Sequence, residues 1–221
     1  MTHSEENYLK AIYHLTASTN ADISTNAIAE TMDTKASSVT DMLKKLAEKD
    51  LVNYIKYQGV SLTEKGGLVA KMIVRKHRLW EVFLVEKLDF SWDEVHDIAE
   101  QLEHIKSEKL INKLDDLLGN PTEDPHGDPI PNASGQLPKI EKQLLSELIA
   151  NQKGICVGVK DTSTEFLKYL DKQEISLGST IEFIEKEEFD LSLTIKVNQK
   201  TITISNKIAS NIFIKLKKTV H

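Results

Sequence analysis

Residues 37–63 read SSVTDMLKKLAEKDLVNYIKYQGVSLT. Val39, Met42, Leu43 and Leu46 recur at helical spacing, and after Asp50 the pattern breaks into two short β-like runs around a turn at Gln58-Gly59. Working outward, residues 23–32 place Ile23, Ala27, Ile28 and Met32 on one side of a shorter helix, and a polar break from Asp33 to Ala36 separates the two. Residues 5–17 set Tyr8, Leu9, Ile12, Tyr13 and Leu15 at the spacing of a further helix. Helix, tight turn, helix and hairpin is the order of a winged helix-turn-helix. Its second helix enters the major groove with its amino-terminal residues nearest the base edges. Those residues are Lys35, Ala36, Ser37, Ser38, Thr40 and Asp41, with Lys44 and Lys45 one turn further for phosphate contact. Lys56, Tyr57 and Gln58 fall at the hairpin tip, where a wing reaches the duplex backbone. Helix-turn-helix shapes also serve as packing units in proteins that never touch DNA. The wing at the expected distance favours the DNA-binding alternative.

The chain has 221 residues and a formal net charge of -6. An acidic balance is awkward for a DNA binder, but DNA reads the face it touches, and carboxylates kept elsewhere for metal ligation lower the sum. The start, MTHSEENYLKAIYHL, carries no apolar run of a secretory signal, and no segment approaches the roughly 20 apolar residues of a membrane span. Cys156 is the single cysteine, which excludes an intramolecular disulfide and makes a reducing cytoplasm the simplest setting. The expected localisation is cytoplasmic, with no membrane partner and no small organic substrate.

Residues 64–88 are periodic enough for one long helix. A helix over 92–105 is expected, opened by Ser91 and Glu94 as a capping box, and another over 107–118, closed by Gly119. Residues 119–138, GNPTEDPHGDPIPNASGQLP, hold all five prolines, so a linker or ordered arm is expected there. A short helix over 139–151 and strands at ICVGVK, STIEFIEKE, LSLTIKV and TITIS complete the pattern, a small β-barrel. The expected organisation is a winged helix-turn-helix over 1–63, a helical metal-binding and dimerisation domain with a Pro-rich arm over 64–135, and an SH3-like β-rich domain over 136–221. The fold class is thus mainly α, with a small carboxy-terminal β-barrel.

The sharpest chemical feature lies between His77 and His104. Residues three and four apart share a helical face, so Glu100, Glu103 and His104 converge, with His96 one turn earlier, and His77 and Glu81 pair on the preceding helix. Two histidines and two carboxylates from facing turns suit manganese, ferrous iron, cobalt, nickel or zinc, and the absence of thiolate there removes the signature of a soft-metal site. Glu and His are also common on solvated helix faces, but these fall within a chain that has only seven histidines. The different-class alternative is a metal-dependent enzyme or a metal-storage protein. There is no HExxH, no glycine-rich phosphate loop and no nucleophile motif to supply the rest of an active site, so no catalytic residue is expected.

SEENYLKAIYHL, SSVTDMLKKLAEKDLV, RKHRLWEVFL, VHDIAEQLEHIKSEKL and DPHGDPIP, in this order and spacing, resemble the diphtheria-toxin-repressor/manganese-transport-regulator family over residues 4 to 135, and more loosely beyond. The resemblance implies a homodimer that binds a palindromic operator when loaded with Mn(II) or Fe(II) and represses metal-uptake genes. Zinc, cobalt or nickel are expected to substitute in vitro. It implies an ancillary site of His77, Glu81 and His96, in some members completed by side chains of the SH3-like domain, with Glu165 at one such position and Thr162, beside Asp161, near the other. It implies a primary site of Glu100, Glu103 and His104 with a first-helix residue, here Asn7, and the carboxylate at Glu100 leans towards manganese. Two departures stand out. Asn7 is a neutral amide where the family has aspartate or methionine, with Glu6 beside it read as facing differently and kept only as a fallback. Lys10 replaces a glutamate that some members use for a two-metal cluster. Asn7 also admits the alternative of a DNA-binding regulator that no longer senses metal.

Overall fold

The computed structural model describes residues 1–19, 22–55 and 58–216. The chain divides into two compact units. One holds Met1–His77, Glu100–Lys113 and Pro131–Leu137; the other holds Arg78–Ala99, Leu114–Ile130 and Pro138–His221.

In the first unit, α1 (His3–Thr19), α2 (Thr25–Thr31) and α3 (Ala36–Glu48) precede a hairpin of β1 (Val52–Ile55) and β2 (Gly59–Leu62). Ser24 caps α2 by accepting from the Ala27 N–H at 3.1 Å. Asp33 takes a positive φ of 44° in the turn between α2 and α3. The hairpin is antiparallel, with Val52 opposite Leu62, and Ile23 exchanges two backbone hydrogen bonds with Val60 in an isolated bridge beside it. Leu9, Ile12, Ile28, Leu43 and Leu46 are fully buried and form one core with Val39, Val52 and Val60. The apolar stripe of α3 therefore faces inward, while Lys35, Ser37 and Ser38 are exposed.

The long helix α4 (Glu64–Leu88) runs over the span its periodicity predicts. The next helix is shorter than expected: α5 occupies His96–Leu102, and Glu103 and His104 lie in the turn after it. The Glu94 carboxylate does accept from the Ser91 N–H at 3.1 Å, but the Ser91 hydroxyl donates to Asp93 at 2.6 Å, and the helix starts only at His96. α6 (Glu108–Leu117) begins with Ser107 accepting from the Leu110 N–H, and Gly119 beyond it has a φ of 77°.

The second unit holds a six-stranded antiparallel sheet ordered β3-β8-β4-β5-β6-β7. The strands are β3 (Gln143–Leu144), β4 (Lys153–Val159), β5 (Thr180–Lys186), β6 (Leu193–Val197), β7 (Lys200–Ile204) and β8 (Ile212–Leu216). The helix expected over 139–151 is absent. That span forms β3 and a 3₁₀ turn at Leu145–Glu147, because Leu145 and Leu148 enter the sheet's core through the turn. Two helices and one strand go beyond the sequence expectation: α7 (Thr164–Lys172), α8 (Asn206–Ala209) and β8. Phe166, Leu167 and Leu170 of α7 cover the same core as Ile181, Ile195 and Ile214. The arm 119–130 is ordered against this sheet. The Val159 N–H donates to the His126 carbonyl at 2.9 Å, and Gly127 adopts a φ of 80°. A Cβ at Gly127 would stand 1.9 Å from the Val157 carbonyl oxygen, so only glycine permits this approach.

Candidate metal centre and nucleic-acid interface

The first unit gathers a polar cluster from α1, α4, α5 and the turn after α5. Lys10 donates to Glu100 Oε1 at 2.7 Å and to Glu103 Oε2 at 2.8 Å. His77 Nδ1 lies 2.7 Å from the same Glu103 Oε2, and His104 Nδ1 lies 2.6 Å from Glu6 Oε2. The Glu103 side chain has no solvent exposure. Burial alone would raise its carboxyl, but the His77 hydrogen bond and the Lys10 ammonium outweigh burial and hold it below the ordinary carboxylate value. Two oxygens are left over: Asn7 Oδ1 and Glu103 Oε1 are buried with no hydrogen-bond partner among the described residues. Glu103 Oε1 stands 4.0 Å from His104 Nε2. Buried acceptors without donors are costly, and a bound cation is one way such oxygens are satisfied. Glu100, Glu103, His104 and Asn7 therefore fit a divalent ion with oxygen and imidazole donors. Glu6, set aside by the sequence reading as facing differently, is 5% exposed and joins this cluster through His104.

The second unit holds a separate buried group. Ligand atoms of Glu81, Asp124 and His126 lie within 4.8 Å of one another, and all three side chains are buried. Asp124 Oδ1 accepts from the His126 and Asp128 N–H groups at 2.8 and 3.0 Å, which folds the arm into a turn. Asp124 Oδ2 lies 3.4 Å from Arg78 Nε. Burial, then the neighbouring Glu81 carboxylate, push the Asp124 carboxyl up to about 7 against the pull of Arg78. His126 Nε2 donates to the Trp92 carbonyl at 2.7 Å, which presents Nδ1 to Glu81 Oε2 at 3.8 Å. Burial works against charge on this imidazole, yet the Glu81 hydrogen bond and the two carboxylates push it up to about 9. Glu81 Oε1 also lies 3.5 Å from His96 Nδ1, and His77 stands one turn before Glu81 on α4.

Sequence reasoning missed Asp124 and His126 as members of a metal-fitting group. Glu165, the residue expected to complete the ancillary site, is exposed in the first turn of α7 and belongs to no such group among the described residues. Asp161 accepts from the Ser163 N–H at 2.9 Å in the turn before α7. Cys156 is buried in the sheet's core, and burial pushes its thiol up to about 11, which suits packing and not ligation.

Lys35, Ala36, Ser37, Ser38, Asp41 and Lys44 are exposed at and after the start of α3. Lys35 makes no side-chain capping bond, so the first N–H groups of α3 stay available to a phosphate oxygen. Thr40 spends its hydroxyl on the Ala36 carbonyl at 3.0 Å, and Lys44 lies 3.4 Å from Asp41. Gln58 is exposed, while Lys56 and Tyr57 lie outside the described residues.

Residues 1–60 match "Iron dependent repressor, N-terminal DNA binding domain", and residues 63–132 match "Iron dependent repressor, metal binding and dimerisation domain". Residues 143–216 match the FeoA domain. An HTH-type transcriptional regulator of Methanocaldococcus jannaschii is 40% identical over 114 residues, 52% of this chain and 91% of that protein. The chain belongs to the iron-dependent repressor family. The iron-dependent repressor IdeR of Mycobacterium tuberculosis is 36% identical over 126 residues, 57% of this chain, and the match spans 54% of that repressor's length. Among solved structures, a manganese-dependent transcriptional repressor in complex with manganese superposes with a TM-score of 0.86 at 34% identity, covering 96% of this chain and 100% of that one. The winged helix-turn-helix, the helical metal-binding and dimerisation domain and the SH3-like FeoA domain are thus the family's architecture. Among the described residues, no helix is long and apolar enough to cross a membrane.

Proposed function

We propose that this chain is a cytoplasmic, homodimeric repressor that binds a palindromic operator when loaded with Mn(II) or Fe(II), and that it represses metal-uptake genes. The observation that carries the reading is the partnerless buried Glu103 Oε1, 4.0 Å from His104 Nε2, together with the partnerless buried Asn7 Oδ1 on α1. Glu100, Glu103, His104 and Asn7 make up the primary site. His77, Glu81 and His96 make up an ancillary site, with Asp124 and His126 as further ligands at Glu81 and Glu165 as a more distant candidate. When bound, a divalent ion supplies the positive charge that these carboxylates and carbonyl oxygens lack. No thiolate joins either set, which favours the harder ions of the series.

The chain's own residues link this site to DNA. Glu6, Asn7 and Lys10 lie on α1, whose Leu9 and Ile12 are buried in the same core as Val39, Leu43 and Leu46 of α3. Holding α1 therefore constrains the tilt of α3, whose first turn presents Lys35, Ser37 and Ser38 to the groove. That coupling selects one conformation and needs no catalytic group.

One observation favours the reading in which metal is no longer sensed: Lys10 already bridges Glu100 and Glu103, so part of the site's charge is balanced within the chain. Operator binding separates the two readings. It is measured with and without Mn(II) on the intact chain and on the Glu103→Gln/His104→Ala double variant. Binding that requires Mn(II) in the parent and is lost in the variant supports the metalloregulator. Equal, Mn(II)-independent binding by both proteins would sink it.

A further inference from the structure

The contacts of His104 carry a conclusion about Glu6. Its Nδ1 is bonded to Glu6 Oε2 at 2.6 Å, and its ring stacks on His3 at 4.2 Å between centroids with planes 7° apart. The imidazole is therefore held by a carboxylate at one edge and a ring on one face, and its orientation is set before any ion arrives. Its other nitrogen, Nε2, faces Glu103 Oε1 at 4.0 Å, the oxygen without a partner. An imidazole bonded to a carboxylate through Nδ1 keeps its proton there and offers the Nε2 lone pair, and such a carboxylate makes the nitrogen a stronger donor. The charge count points the same way. Lys10 offsets part of the charge on Glu100 and Glu103, and the α1 residue whose oxygen is unpartnered in this cluster, Asn7, is neutral. Glu6 is the added carboxylate, and its side-chain hydrogen bond into the cluster runs to the imidazole of His104.

Resting on the metal-binding reading above, we propose that Glu6 is the positioning residue of the primary site. It fixes His104 so that Nε2 ligates, and it supplies from behind the imidazole the negative charge that Asn7 does not. Glu6 does not ligate the ion itself.

The test uses the full chain stripped of metal, as parent and as Glu6→Gln. Mn(II) affinity is read from the loss of the free Mn(II) electron paramagnetic resonance signal. The ligating nitrogen of His104 is read from long-range ¹H–¹⁵N correlations of the imidazoles in the diamagnetic Zn(II)-loaded protein, with His104 assigned by its absence in His104→Gln. The expected result is Nε2 ligation in the parent and Mn(II) affinity about tenfold weaker in Glu6→Gln, the range seen when a carboxylate behind a ligating histidine is removed. Ligation through Nδ1, or an unchanged Mn(II) affinity in Glu6→Gln, overturns the role of Glu6 while leaving the metal site standing. A parent protein that binds no Mn(II) overturns the metal-binding reading and this role with it. If Glu6→Gln does not fold, the nitrogen identity in the parent decides alone.

Discussion

Glu103 and Asp124 are both carboxylates sealed from solvent, and their surroundings push them in opposite directions. Burial raises both. Around Glu103 the His77 hydrogen bond and the Lys10 ammonium win, so the group stays ionised with one oxygen in use and one left over. Around Asp124 the Glu81 and Asp128 carboxylates add to burial, and Arg78 and His126 only partly offset them. Depth alone does not fix a carboxylate's state; the sign of its neighbours does. The first cluster is a set of carboxylates partly offset by Lys10 and His77, and the second is an acid-rich group around a buried imidazole.

The contrast breaks most visibly by neutralising each carboxylate. Glu103→Gln strands Lys10 and His77 around a neutral amide, and removing one member of a buried pair costs about 3 to 5 kcal/mol. Urea unfolding of the metal-free protein is expected to show a loss of that size. Next in size is Gly127→Ala, which forces a Cβ against the Val157 carbonyl at a positive φ and is expected to cost about 2 kcal/mol by the same assay. Asp124→Asn keeps the turn-forming acceptor for the His126 and Asp128 N–H groups and replaces a carboxyl whose ionised form burial and Glu81 disfavour. At pH 7 its cost is expected to stay near 1 kcal/mol, roughly that of one ordinary hydrogen bond. Equal losses for Glu103→Gln and Asp124→Asn would erase the distinction between the clusters. Smallest is the effect at Cys156. Its thiol, pushed up to about 11 by burial, is mostly protonated below that pH, and iodoacetamide at pH 8 is expected to leave the native protein unmodified while labelling it fully in denaturant.

The two clusters also differ in how far the sequence reveals them. Glu100, Glu103 and His104 stand out in the sequence because helical spacing would put them on one face, although Glu103 and His104 lie one and two residues past the end of α5. α4 is legible from Glu64 to Leu88 because its apolar period runs on uninterrupted apart from Gly66 and Gly67 near the start. Glu6 was legible in principle: it is four residues before Lys10, so the two share a face of α1, and the weight given to Asn7 hid that. Asp124 and His126 were not legible as ligand candidates. They come from a proline-rich arm with no period, and a glycine contact with β4 and a hydrogen bond to the Trp92 carbonyl bring them to Glu81. The misread span 139–151 follows the same logic. Leu144, Leu145 and Leu148 suit a helix as well as a strand and turn, and the sheet around them decides. α7 left a usable signal in Ser163 ahead of Phe166, Leu167 and Leu170, as did β8 in the alternation of Ile212 and Ile214.

The account rests on metal and DNA reporting on each other through α1 and α3, and coupling of that kind is reciprocal. The most direct test is calorimetric titration of the metal-free full chain with Mn(II), alone and in the presence of duplex DNA from the region upstream of its own gene. The expected result is saturable Mn(II) binding that tightens at least tenfold on DNA, a coupling of about 1.4 kcal/mol or more. Superimposable isotherms with and without DNA that the protein binds would contradict it, leaving the ions structural and the regulation to another signal.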